Sequence, residues 1–255
     1  MSALTRFSAF SALLAATLAL APTLHAQAQP TPAPDSLHAA TPSISTPVDA
    51  ARAKIVEAVK KMNQTPSDID GALAALSQAI QLKPDSVFAY QLRGSLYTQK
   101  KAFPEAEADF NNAYKLDPDN VVIKFNLSEL KFMQKDYDQA RTGFVPLQKD
   151  ADMGDFAMYK VFLCDLYAGH EAVAKSELNA INDKGDDASY YFSNAAWDLY
   201  HKNIEDARTW LVSASHIYDP KKFTTYGATL RYLGYLPLPL PKDGSVNPNG
   251  SPASP

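Results

Sequence analysis

A spacing of 34 residues organises the middle of this chain. Ala72, Ala106, Ala140 and Ala174 follow one another by 34, and Ala207 comes 33 later. Four residues beyond each stands a large apolar side chain: Leu76, Phe110, Phe144, Leu178 and Leu211. Three further on come Ala79, Ala113, Leu147, Ile181 and Ala214. Steps of four and three place the three marked residues of each unit on one helical face. In the second unit that helix must stop at Asp117-Pro118, because proline cannot continue it. A period of this length, kept over five units, is the signature of stacked supersecondary units that bury their apolar faces only against one another.

Each unit holds two helical stretches. VFAYQLRGSLYTQK, residues 87 to 100, carries apolar residues at Phe88, Tyr90, Leu92, Leu96 and Tyr97 with Gly94 between them. Phe103-Pro104 then opens a second helix, where proline is tolerated because a first-turn N–H has no intrahelical acceptor. The expectation is an antiparallel hairpin in which Gly94 and Ala106 let the backbones approach and Phe110 fills the space where they splay. Pro146 is expected to end or bend the second helix of the third unit early, with a joint in the polar stretch 148–155.

These residues resemble the tetratricopeptide repeat, a 34-residue helix-turn-helix with aromatic, leucine, glycine, tyrosine, alanine, phenylalanine, alanine and proline at set places. Unit 87–120 matches through Tyr90, Gly94, Tyr97, Phe103, Ala106, Phe110, Ala113 and Pro118, and departs at Arg93, where leucine is usual. Unit 121–154 matches through Leu127, Tyr137, Ala140 and Phe144, with Ser128 for the glycine. Units 53–86 and 155–187 match more weakly, with Lys60 and Phe162 at the small position, and 188–220 recovers through Tyr191, Ala195, Ala207, Leu211, Ala214 and Pro220. The resemblance implies an all-α fold, an α-solenoid of about five such hairpins over residues 48–236. The last stretch, 221–236, is expected to be a helix capping the final apolar face.

The ends differ from this middle. FSAFSALLAATLALA, residues 7 to 21, is an apolar run behind a single arginine, too short to span a bilayer at ~20 residues and fitting a secretory signal within residues 1–28, cleaved after Ala26 or Ala28. Residues 29–47 hold five prolines and residues 237–255 hold six, compositions that cannot bury a core and read as a linker and a tail. The mature chain is therefore expected to be soluble and exported, periplasmic or secreted, with no stable membrane insertion. Its net charge of −4 gives no broad basic surface for nucleic acid. Cys164, the single cysteine, allows no intrachain disulfide and is expected to be a small buried side chain.

The resemblance also implies a concave wall made by the first helix of each unit, with a protein or peptide as the partner held there. Carried onto this chain, the groove-facing candidates are Phe88, Gln91, Ser95 and Thr98, then Val122, Phe125, Glu129 and Phe132, then Phe156 and Tyr159. If they line an open groove, charging Phe125 and Phe132 should abolish capture and change the melting temperature little; if Phe125, Phe132 and Phe156 are instead packed between units, the melting temperature should fall steeply. The family's clamp for an acidic tail would fall on Glu57, Lys61, Leu92, Val122 and Asn126, of which Leu92 cannot bond a carboxylate and Glu57 repels one. No nucleophile elbow, phosphate loop, H-E-x-x-H or C-x-x-C is present, so no catalytic residue, metal or cofactor is expected. The function read from the sequence is a non-catalytic scaffold; the alternative is an accessory or substrate-positioning subunit of a cell-envelope enzyme or secretion machine.

Overall fold

The computed structural model describes residues 46–185 and 187–236; the segments read as signal, linker and tail lie outside them, apart from the linker's last two residues. Of the eleven α-helices among the described residues, the first ten follow in pairs. The first hairpin is α1 (Pro47–Met62) with α2 (Ile69–Leu82), the second α3 (Val87–Gln99) with α4 (Phe103–Leu116). The third pairs α5 (Val121–Met133) with α6 (Tyr137–Phe144), the fourth α7 (Gly154–Ala168) with α8 (Glu171–Lys184), and the fifth α9 (Ala188–Tyr200) with α10 (Ile204–Ile217). One further helix, α11 (Pro220–Tyr232), closes the described chain. The hairpins stack in chain order, α3 on α2, α5 on α4 and α7 on α6.

All fifteen side chains of the 34-residue pattern are buried. The alanines at the second-helix contacts are sealed, and the large residue four positions on fills the space beneath the first helix. In the second unit that space is made by Gly94: a Cβ there would stand 2.8 Å from the Phe110 ring. The Phe110 ring thus packs directly against the Gly94 backbone. Burying one such ring stabilises by about 1.5–3 kcal/mol. The third unit reaches the same fit with the partners exchanged. Ser128 stands at the glycine position, and Gly143 opposite it has no room for a Cβ because the Ser128 Oγ would lie 2.1 Å away.

Short polar side chains start most helices. Ser86 accepts from the Ala89 N–H, Asn120 from Val122 and Ile123, Asp136 from Gln139, and Asp187 from Tyr190, each satisfying a donor that the first turn leaves free. Pro146 acts as expected. The α-helix α6 ends at Phe144 and a 3₁₀ turn, Val145–Lys149, carries the chain on. The core nonetheless runs through this joint, because Leu147 is buried and Phe125 stacks on Phe156 at 5.2 Å.

In the second to fifth units the turn between the two helices holds one residue with positive φ. Gly169 supplies it in the fourth unit at +82°, but Lys101, Lys135 and Lys202 do so in the second, third and fifth at +60°, +64° and +66°. A side chain in that region costs about 1 kcal/mol or more, and all three lysines are exposed. Replacing Lys101, Lys135 or Lys202 by glycine is therefore expected to raise stability by ~0.5–1 kcal/mol each, net of glycine's greater freedom in the unfolded chain. Urea denaturation checks this, and Gly169→Lys should move the midpoint the opposite way.

Candidate functional site

The ten wall positions divide into two groups. Phe88, Ser95 and Val122 are partly exposed, on α3 and the start of α5. Gln91, Thr98, Phe125, Glu129, Phe132, Phe156 and Tyr159 are buried. The hydroxyls of Ser95 and Thr98 turn back onto their own helix, donating to the carbonyls of Gln91 and Gly94 at 2.9 Å.

The buried aromatics pack between units as two groups gathered about one buried cation. Phe125 lies 5.1 Å from Phe144 and 5.2 Å from Phe156. Phe132 meets Tyr137 edge-on at 5.2 Å. Phe156 and Tyr159 sit under Tyr226 of α11, at 4.7 and 5.5 Å. Of the two readings the sequence leaves for Phe125 and Phe132, groove wall or packing between units, the structure has the second: both are 3% exposed or less, held by neighbouring helices, and neither lines an open groove. Tyr159, wholly buried, has its phenol pushed well above the usual range by desolvation.

Between the two groups lies Lys160, with no exposed surface. Its Nζ is 2.6 Å from Glu129 Oε2, donates to Thr229 Oγ1 at 2.6 Å, and stands over the rings of Phe132, Phe156 and Phe144 at 4.8, 5.7 and 5.9 Å. Glu129, one of the groove-facing candidates, is thus committed to an internal ion pair. Sequence reading missed Lys160, although a lone cation within FAMYKVFLCDLYA, residues 156 to 168, signals a charge that needs a buried counterion.

Two further clusters belong to the frame. Arg93 grips Asp109 through two hydrogen bonds of 2.7 Å and donates to Ser77 Oγ at 3.0 Å, tying α3 to α4 and α2. Arg141 joins Asp165 at 2.5 Å and Glu177 at 3.2 Å, and His170 Nδ1 lies 3.1 Å from the other oxygen of Asp165. Burial, and then the facing Asp165, push the Glu177 carboxyl up to about 7. Cys164 is buried, and desolvation raises its thiol far above the usual range. Among the described residues no group of three or more His, Cys, Asp or Glu could hold a metal ion, and no helix is long and apolar enough to cross a membrane.

On the partly exposed stretch one polar group is left over. Asn126 on α5 is 5% exposed, and its Nδ2 has no hydrogen-bond acceptor. A buried donor without a partner costs roughly 1–3 kcal/mol. It follows Phe125 directly, on the helix that also carries Val122.

Stacked antiparallel hairpins, with a wall built by the first helix of each, define an all-α solenoid. Residues 97–159 match the family model of the tetratricopeptide repeat, so the chain carries tetratricopeptide repeats over that stretch. Its fold is similar to that of Pseudomonas aeruginosa pilF, at 15% identity with a TM-score of 0.53, covering 76% of this chain and 95% of that one. It is also similar to PilW, described as a widely conserved type IV pilus biogenesis factor, at 16% identity, TM-score 0.53, covering 76% and 96%. YrrB, a tetratricopeptide-repeat protein with an unusual peptide-binding site, aligns at 19% identity with a TM-score of 0.47 over 70% of this chain and 92% of its own. No curated protein matches the sequence significantly.

Proposed function

We propose that this protein is an exported, non-catalytic scaffold that captures a protein or peptide segment on the concave stretch formed by α3 and α5. The observation that carries the reading is Asn126. Its donor is unsatisfied within the chain at a cost and lies one helical turn from the partly exposed Val122, so that an outward rotation of the amide would pair it with the carbonyl of a bound peptide. Phe88 and Val122, partly exposed on the same wall, supply apolar contact, and their rigid helices need no reordering on binding. Export is supported by the apolar run at residues 7–21 behind a single arginine. The acidic balance of the chain favours a protein partner over nucleic acid.

Asn126→Leu separates this role from folding. Removing an unpaired donor while keeping the volume should leave the melting temperature unchanged or raise it. Capture of the partner from envelope extracts should fall about tenfold or more, the loss of roughly 1.4 kcal/mol of binding. Equal capture by the variant and the wild type would remove the basis for this reading.

A further inference from the structure

The last helix does not simply extend the stack. Its side chains step across the first helices of three units instead. Tyr226 packs on Phe192 of α9 at 5.4 Å and on Phe156 and Tyr159 of α7. Thr229 accepts from Lys160 of α7, and the Tyr232 hydroxyl donates to the Met133 carbonyl of α5 at 2.7 Å. Beyond the helix, Tyr235 closes on Tyr167 with ring centroids 6.5 Å apart. The concave face of the third to fifth units is therefore filled by the chain's own C-terminal helix.

The seat has an unusual floor for a permanent seam. Lys160 and Glu129 are both buried beneath α11, and the Glu129 Oε2 lacks an aligned hydrogen bond despite its 2.6 Å approach to the ammonium. A buried ion pair of this kind adds little net stability, and well-packed apolar residues of the same volume hold two elements together as well or better. A charged floor is, however, compatible with water when the helix is away. The connection to α10 is short and extended: Tyr218 has φ −105° and ψ 146°, Asp219 φ −60° and ψ 156°.

We propose that this face is a receptor site for an amphipathic helix and that α11 is its resident, displaceable occupant. The partner is a helix carrying an aromatic ring, a hydroxyl three residues on and a tyrosine three further, the pattern of Tyr226, Thr229 and Tyr232. This deepens the reading above, on which it rests for the idea that the concave wall takes protein segments, and adds a second, self-covered stretch with its own ligand class. Because α11 is tethered, it competes at high effective concentration, so a partner's apparent affinity rises as the internal contact weakens.

The test uses the full chain and a fluorescent synthetic peptide of residues 219–236. Thr229→Val and Tyr232→Phe in the protein each remove one polar anchor of the internal helix and leave the receptor residues intact. The peptide, which keeps both hydroxyls, should bind the double variant at least tenfold tighter than the wild type by fluorescence anisotropy. Putting the same two changes into the peptide should reverse most of that gain. Should the double variant fold poorly by circular dichroism, Tyr232→Phe alone, which keeps the ring, should give a smaller gain of the same sign. Amide exchange should show α11 opening while α7 and α9 stay protected. Exchange of α11 only in step with α9 and α10, or no peptide binding to any variant, overturns the proposal. Failure here with Asn126-dependent capture intact removes this inference alone; peptide binding with capture indifferent to Asn126 removes only the earlier reading.

Discussion

Replacing Phe125 and Phe132 together by glutamate is expected to abolish cooperative folding at 25 °C. Each ring is enclosed by aromatic neighbours from adjacent helices, Phe144 and Phe156 around the first, Tyr137 and Tyr167 around the second. Losing one buried phenylalanine costs about 3–5 kcal/mol, and the incoming carboxylate must be buried or protonate at further cost, the cation close by, Lys160, being already paired with Glu129. Two such changes approach the whole stability of an ordinary domain, about 5–15 kcal/mol. Phe132 also lies under the Lys160 ammonium, so the two sites share a partner region and their effects will not simply add. A thermal melt followed by far-ultraviolet circular dichroism reads the outcome. A melting temperature lowered by only a few degrees would return both rings to an open groove wall.

The second large effect is expected at Arg93. The family pattern places leucine there, so Arg93→Leu restores the commoner residue, yet it should destabilise by about 3–5 kcal/mol. The reason is Asp109, whose side chain is 4% exposed and which loses both hydrogen bonds from the guanidinium; a buried carboxylate stripped of its counterion carries a penalty of that order. Arg93→Leu combined with Asp109→Leu removes both charges and should recover most of the loss. Urea denaturation of the two single variants and the pair measures the coupling. A small effect of Arg93→Leu alone would show that water or another group reaches Asp109.

These two cases mark what the sequence could and could not disclose. The 34-residue pattern reports contacts within a hairpin and with the next one, and the fifteen positions it marks are all buried. The turn at Pro146 and the Gly94 approach were legible for the same local reason, although the place of the Phe110 ring was not. Arg93 looked like a departure from the pattern because its partner, Asp109, lies on the paired helix at a position the pattern does not mark. The last helix was legible as a cap over residues 221–236, but the three units its side chains reach were not. Tyr232 meets Met133 across 99 residues of chain, and no nearest-neighbour rule of a solenoid encodes that return. For the same reason Phe156 and Tyr159 read as groove residues: the resemblance puts them on the concave wall, and the returning helix covers them together with Phe125 and Phe192.

The central claim is that the concave wall is divided, open along α3 and the start of α5 and filled from there on by aromatic packing and α11. Hydroxyl-radical footprinting of the native protein, read residue by residue by mass spectrometry, addresses it directly. Phe88 is expected to be oxidised readily while Phe125, Phe132, Phe156, Tyr159 and Tyr226 are protected until the chain unfolds. Labelling of these five at the rate of Phe88 in the folded protein would contradict the account.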